Sequence, residues 1–401
     1  MKHFSHLNTA TRLIQQYRGK EPLHHFLKSF FSQHKKFGSK DRRRISHLCY
    51  VFYRVGRAFD TASPPAEDPM IQEIILAALF LCSQTPDELL GIMKPAWNEK
   101  IGSDISEKAG IIRESEPISS FDLQQLFPAM NELSEGIDKE SFNLSHLQQP
   151  SPFIRIRPGH MEQVLKKLDK QAVRTEFIPP SAIRLPNGFK VDDIFEVDKE
   201  VVVQDLSSQK IGELMNLDNQ PQRITSIWDC CAASGGKSIL AKDVLGDIDL
   251  SVSDVRESIL VNLKKRFASA GIHQYNSFVA DLSTHSPPAG QAGSPFDFII
   301  ADLPCTGSGT WSRTPEQLYF FEPPVIEKYS QIQKMIAANI IPHLKASGKL
   351  LYITCSVFKK ENEDIIRFMQ ERFSLNVERS QILKGYDKKA DTMFAAVLSR
   401  L

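Results

Sequence analysis

The sequence has no CxxC pair, no evident disulfide framework and no apolar run long enough to cross a bilayer. Its six cysteines, at positions 49, 82, 230, 231, 305 and 355, show no metal-ligand spacing among themselves or with the eleven histidines. No metal is therefore expected. In a reducing compartment each cysteine is either a small buried apolar residue or a reactive thiolate. The longest apolar stretch, IILAALFLC from Ile74 to Cys82, is too short for a membrane span, and the start MKHFSHLNTATRL lacks the apolar segment of a secretory leader. A cytoplasmic chain with no membrane partner is the expectation. Two nucleotide signatures are also missing. The stretch CAASGGKS has only the adjacent Gly235 and Gly236, short of the GxGxxG dinucleotide fingerprint, and Cys231 stands where a phosphate loop needs glycine.

What is present suffices for a sizeable core. Of 401 residues, 41% are hydrophobic and 24% charged, which suggests two or three domains. The net charge of +1 conceals an asymmetry. Residues 1–60 hold thirteen Lys or Arg against three acids, and residues 61–150 hold five against fifteen. A basic block of this kind favours phosphate contacts. Within it, SKDRRRISHLCYVFYRVGR puts Ile45, Leu48, Cys49, Phe52 and Val55 on one helical face, with Ser39 as candidate cap and Arg42, Arg43 and Arg44 projecting from the first turn. Similar periodicity in IQEIILAALFLC and in Phe121 to Met130 makes residues 1–145 a helical domain.

The run QQPSP at Gln148 to Pro152 marks a boundary. Beyond it FIRIR reads as a strand, MEQVLKKLDK as a helix, and RTEFIPPSAIRL and Phe195 to Val203 as further strands, giving a small α+β module over residues 150–205. From residue 206 to 401, short apolar strands such as ITSIWD, DLSVSD, FDFIIAD and KLLYITCS alternate with amphipathic helices. This predicts an α/β domain with a mostly parallel sheet covered on both faces. Ser283 to Pro295 reads as a surface loop by composition.

In such a sheet, ligands bind beyond the carboxyl ends of the strands. Asp229, Asp254, Asp281 and Asp302 all fall at strand ends, and CAASGGKS between the first two is a small-residue turn that lets backbone N–H groups approach a ligand. Asp254 follows Asp229 by 25 positions, near the spacing that sets a carboxylate on ribose hydroxyls. A nucleoside ligand without pyrophosphate fits, and S-adenosylmethionine is the obvious one. Two thiols share this region, Cys305 in DLPCTGSG and Cys355 in YITCS. Either or both could be nucleophiles, or one could be packing.

The stretches VQDLSSQ, DCCAASGGKS, DLPCTGSGTWSRTPE and GKLLYITCSVFKKENE resemble, in order, motifs of the RNA cytosine-C5 methyltransferases of the Sun/Fmu (RsmB-like) family. The resemblance implies a class I, Rossmann-like methyltransferase core for residues 206–401, preceded by an RRM-like α+β module and an all-helical NusB-like RNA-binding domain. It implies that S-adenosylmethionine is the cofactor and RNA the partner, foremost 16S ribosomal RNA, in a single-stranded or flipped-out cytosine. A tRNA substrate, or an inactive RNA-binding ribosome assembly factor, is the alternative. A monomer is expected. Residue by residue, it makes Cys231, Ala232, Ala233, Ser234, Gly235, Gly236 and Lys237 the cofactor loop. Asp254 becomes the ribose partner, Asp281 lies by the adenine, and Asp302 lies near the cofactor's methionyl end and the base. Cys355 is the nucleophile, Cys305 assists release, and Lys237 helps position the cytosine. Arg42, Arg43, Arg44, Arg155, Arg157 and Arg313 are candidate phosphate contacts, and Trp311, Phe320 and Phe321 candidates for stacking on bases. Three positions depart from the family pattern: Ser234 stands where proline is usual, Thr306 follows Pro304 and Cys305 in place of serine, and Ser312 precedes Arg313 in place of a second arginine.

The chemistry asks for these residue types. Cytosine C5 is a poor nucleophile until a thiolate adds at C6 and makes it enamine-like. That thiol must ionise, a carboxyl against N3 must offset the charge that builds there, and a second base must remove the C5 proton.

Overall fold

The computed structural model describes residues 2–59, 65, 67–116, 118, 120–171, 173–215, 224–287 and 295–400. The chain divides into two compact units, each discontinuous in sequence. One comprises Met1–Asn131, Asp138–Gln149 and Trp311–Pro323, and the other Glu132–Ile137, Pro150–Thr310 and Pro324–Leu401.

The first unit is helical. Its centre is the pair Ser39–Val55 and Asp68–Cys82, packed with Lys2–Gln16. The expected core face holds: Ile45, Leu48, Cys49, Phe52 and Val55 are at most 1% exposed. Ser39 is not the cap. The helix starts from Gly38, whose N–H donates to the Asp41 carboxylate at 3.2 Å, so an acid in the first turn takes the role expected of serine. The segment Trp311–Pro323 contributes Trp311, buried against Phe127 and Phe321, and Tyr319, buried against Phe52 and Tyr53. Trp311 and Phe321 are thus core residues of the helical unit. Phe320 is half-buried and packs edge-on against Tyr17.

The second unit holds two sheets. Strands β1 (Phe153–Ile156), β2 (Glu176–Ile178), β3 (Ala182–Arg184) and β4 (Val201–Val203) form an antiparallel sheet in the order β2-β3-β1-β4. The helix Met161–Asp169 packs on it through Val164 and Leu168. Strands β5 (Ser226–Asp229), β6 (Asp249–Asp254), β7 (Asn276–Val279), β8 (Phe296–Asp302), β9 (Leu344–Thr354), β10 (Leu375–Leu383) and β11 (Met393–Arg400) form the larger sheet, ordered β10-β11-β9-β8-β5-β6-β7. Strands β5 to β9 pair in parallel, and β10 and β11 are antiparallel additions. Apolar clusters cover both faces, one around Ile227, Val252, Leu263 and Phe267, the other around Trp228, Ile299, Ile336 and Tyr352. This is the class I methyltransferase architecture expected of the motifs. Strand order reverses between β5 and β8, which opens a crevice beyond their carboxyl ends. Of the loop expected at 283–295, residues 288–294 lie outside the described residues. No described helix is long and apolar enough to cross a membrane.

Candidate active site

The crevice between β5 and β8 collects the sequence motifs. Asp229 ends β5 and is fully buried, with Ser238 Oγ donating to its Oδ2 at 2.6 Å. Its other oxygen has no hydrogen-bond partner among the described residues. Burial, opposed by the Ser238 bond and reinforced by the Asp302 charge, pushes its pKa up to about 7.

The turn Cys231–Gly236 then leads into the helix Gly236–Leu245. Two neighbours in it are left-handed, Ala233 at φ 47° and Gly235 at φ 85°. Gly235 is required there twice over, since a Cβ would also sit 2.6 Å from the Phe267 ring. Asp254, at the end of β6, accepts from Ala233 N–H at 3.0 Å through Oδ2 and from Arg256 Nε at 3.0 Å through Oδ1. The Arg256 side chain in this pair is largely exposed. Asp281 accepts from the N–H and hydroxyl of Ser283, which holds its carboxyl below the usual range.

Lys237, in the first turn of the same helix, reaches Asp302 at the end of β8, Nζ to Oδ2 3.0 Å. Burial alone would lower the lysine pKa. The charges of Asp302, Cys355 and Asp229 outweigh it and raise it, so the ammonium is retained.

Cys355 follows β9 immediately, and Cys305 lies in the loop after β8, its parallel neighbour. Two bonds stitch the two chain segments, and a third ties the Cys305 loop to the residue preceding β11. Leu303 N–H donates to Ile353 O at 3.0 Å, Gly309 N–H donates to Cys355 O at 2.8 Å, and Thr392 N–H donates to Gly309 O at 2.9 Å. A Cβ at position 309 would overlap the Thr392 carbonyl, which explains a glycine in DLPCTGSG. Both thiols are neutral at rest. Burial, with Asp302 adding and Lys237 opposing, pushes Cys355 up to about 12. Burial and the neighbouring Cys355 and Glu361 also raise Cys305.

Sequence reasoning missed Glu361. Its fully buried carboxylate accepts from Thr306 N–H at 2.9 Å, Thr306 Oγ1 at 2.6 Å, Ser356 Oγ and Gln333 Nε2, clamping the residue after Cys305 to the residue after Cys355. Gln333 also donates to Pro304 O at 3.0 Å. The signal was the Glu in FKKENE beside hydroxyl residues following both cysteines, but only a fold brings these together. Thr306 in place of serine keeps the hydroxyl that this clamp uses.

Two of the candidate phosphate contacts lie in this unit, and its own residues engage both. Arg155 and Arg157 grip Asp243 on the helix Gly236–Leu245, at 2.7 and 2.8 Å. Arg155 is 4% exposed and its Nε donates to Gln204. Arg155 and Arg157 are therefore engaged by groups of the fold itself. Arg44 forms a two-pronged pair with Asp87, and Arg42 donates to Phe37 O. Arg43 and Lys40 are exposed with no ion pair among the described residues. Arg313 is half-buried in the helical unit. No group of three or more His, Cys, Asp or Glu positioned to hold a metal occurs among the described residues.

Comparison with known proteins places this geometry. Residues 214–396 match the family model for 16S rRNA methyltransferase RsmB/F. Over 232 residues the chain is 31% identical to ribosomal RNA small subunit methyltransferase B of Proteus mirabilis (strain HI4320), covering 57% of this chain and 53% of that protein. The chain thus spans about half the length of the curated relatives it matches. Among solved structures, PH0851 aligns over 100% of this chain and 98% of its own at TM-score 0.72 and 19% identity. A methyltransferase homolog protein from Pyrococcus horikoshii aligns over 68% and 93% at TM-score 0.56 and 19% identity. The structural likenesses show the fold. The sequence matches show that residues 214–396 are similar to the RsmB/F methyltransferases.

Proposed function

We propose that this chain methylates C5 of a cytosine in small-subunit ribosomal RNA through a covalent adduct between Cys355 and C6. One observation carries the reading. Two thiols stand at the ends of adjacent parallel strands, stitched to each other's backbone, with the Lys237–Asp302 pair beside them. Among the names of relatives, small-subunit ribosomal RNA supports the substrate class.

The donor set fits S-adenosylmethionine. The small-residue turn Cys231–Gly236 stands at a helix start, Asp254 stands one strand away for a ribose, and the crevice lies at the strand-order reversal. When bound, the cofactor supplies an electrophilic methyl group. The chain's residues do the rest. The Cys355 thiol gives its proton to the Asp302 carboxylate as sulfur bonds to C6; the C5–C6 pair shifts through the ring to N3, which takes that proton. Lys237 is positioned to hold Asp302 and lower the cost of the thiolate. After C5 accepts the methyl group, Cys305, having released its own proton to solvent, takes the C5 proton. The C6–S bond then breaks, C5–C6 is restored, and the N3 proton returns through Asp302 to the Cys355 sulfur. Net, the C5 hydrogen is released as a proton.

The test is direct. Cys355→Ala should abolish methylation and any covalent RNA link, whereas Cys305→Ala should accumulate a link visible on a denaturing gel. Bisulfite sequencing of total RNA from a deletion strain should show one small-subunit rRNA cytosine losing its mark. Loss confined to a tRNA would overturn the substrate, and a link formed through Cys305 would overturn the assignment of the nucleophile.

A further inference from the structure

The departure at Ser234 has a physical counterpart 32 residues away. Arg266, on the helix Glu257–Ser269, donates through Nη1 to both Ser234 Oγ at 3.0 Å and Ser234 O at 3.1 Å. Its other edge makes a two-pronged bond with Asp198, Nε to Oδ2 2.9 Å and Nη2 to Oδ1 2.6 Å. Asp198 is fixed in turn. It is one of the few left-handed residues that is not glycine, at φ 67°, its carboxylate is almost wholly buried, and its carbonyl accepts from Arg157 Nη1 at 2.8 Å. Arg157 also holds Ala270 O at 2.8 Å and Asp243. A continuous chain of charge-assisted bonds thus runs from the α+β module, through Arg266, to the middle of the cofactor turn.

The turn needs such support. Ser234 sits between left-handed Ala233 and Gly235 and is not itself left-handed. Proline at that position would fix φ and reduce the freedom lost on ordering the turn. Serine supplies neither. An arginine fork bound at one edge to a buried carboxylate is pre-organised, so its remaining N–H can hold the turn at small entropic cost.

We propose that Arg266, braced by Asp198, is the positioning residue that orders the cofactor turn in this chain, and that the α+β module acts on the cofactor site through this pair. The proposal rests on the reading that the turn binds S-adenosylmethionine, and its test separates the two. In hydrogen exchange followed by mass spectrometry on the full chain without ligand, Arg266→Ala and Asp198→Asn should speed exchange in residues 232–236, where Ala233 and Gly235 N–H are bonded, by about tenfold, the effect of losing roughly one charge-assisted bond. Unchanged exchange overturns the brace whatever the ligand. In calorimetry, affinity for S-adenosylhomocysteine should fall about five- to tenfold in the same variants, and KM for the cofactor should rise more than kcat falls. Wild-type protein that binds no S-adenosylhomocysteine defeats the functional reading while leaving the exchange result to decide the brace. Wild-type binding that Arg266→Ala leaves equal overturns the positioning role. Ser234→Pro should rescue, bringing Arg266→Ala within about threefold of the parent on both readouts, a rescue that a merely structural arginine would not show. Should Arg266→Ala not fold, Arg266→Lys, which keeps the charge without the fork, should give intermediate exchange, and exchange equal to wild type would defeat the proposal.

Discussion

The sheet unit and the helical unit use their charges differently. In the sheet unit Asp229, Asp302, Lys237, Glu361 and Asp243 are largely buried and each is bound by a specific partner, more than fifty residues away in every case but Asp229. In the helical unit the basic block is divided. Arg44 and Arg42 are tied down, while Arg43 and Lys40 face solvent. Buried charges of the first kind answer to a specific geometry, so removing one has a large and local effect. Solvated charges of the second kind act by their sum, so removing one changes a long-range attraction by little.

The largest expected effect is at Asp302. Asp302→Asn removes the proton carrier and should lower kcat by about 10²- to 10⁴-fold. The same substitution should make Cys355 more reactive toward iodoacetamide at neutral pH. The Asp302 charge raises the Cys355 pKa, so losing it lowers that pKa, and Lys237 is released to lower it further. In the wild type, alkylation of Cys355 should keep climbing as pH rises past 9, because a thiol near 12 is still mostly protonated there. A plateau by pH 9, or slower alkylation in Asp302→Asn, would mean that the two groups do not interact as the geometry requires.

The contrast between units also decides what could be read beforehand. The strands β1, β5, β6, β8 and β9 were legible because each buries nearly every residue and is bounded by turn residues. Strand β10 was missed. It is an edge strand whose middle, Glu378, Arg379 and Ser380, is exposed, so LNVERSQIL carries no apolar period. The positions of Asp229, Asp302 and the two candidate cysteines at or just beyond strand ends were legible because short contiguous motifs carry them. Glu361, Arg266 and Asp198 were not, since their meaning lies in bonds across 55, 32 and 68 residues. The pairing of Arg155 and Arg157 was hidden for the same reason: at and just beyond the end of a short strand they look solvent-bound until Asp243 arrives from a helix 86 to 88 positions later. Trp311 looked like part of a catalytic loop, and it belongs to the helical core.

A second prediction measures the arginine pairing. Asp243→Ala leaves two buried guanidinium groups without their carboxylate and should lower unfolding stability by about 3 to 5 kcal/mol in urea titration. An RNA-gripping pair would respond otherwise, with affinity rising slightly as a nearby acid is lost and stability hardly changed.

The smallest effect, and the one that sharpens the comparison most, belongs to the basic helix. Lys40 and Arg43 project from the start of Ser39–Val55 without ion pairs among the described residues, whereas Arg44 is held by Asp87. If the helical unit contacts RNA phosphates, Lys40→Ala with Arg43→Ala should weaken RNA binding a few-fold and flatten the salt dependence by roughly one to two in the log–log slope, with S-adenosylhomocysteine affinity unchanged. Arg44→Ala should do the reverse, leaving the salt slope alone and costing about 1 kcal/mol of stability, since its carboxylate partner is only partly shielded from water. Salt slopes equal to wild type in both variants would show that none of these cations meets RNA phosphates. The basic block would then be a solvated surface, and RNA recognition would have to reside in the sheet unit.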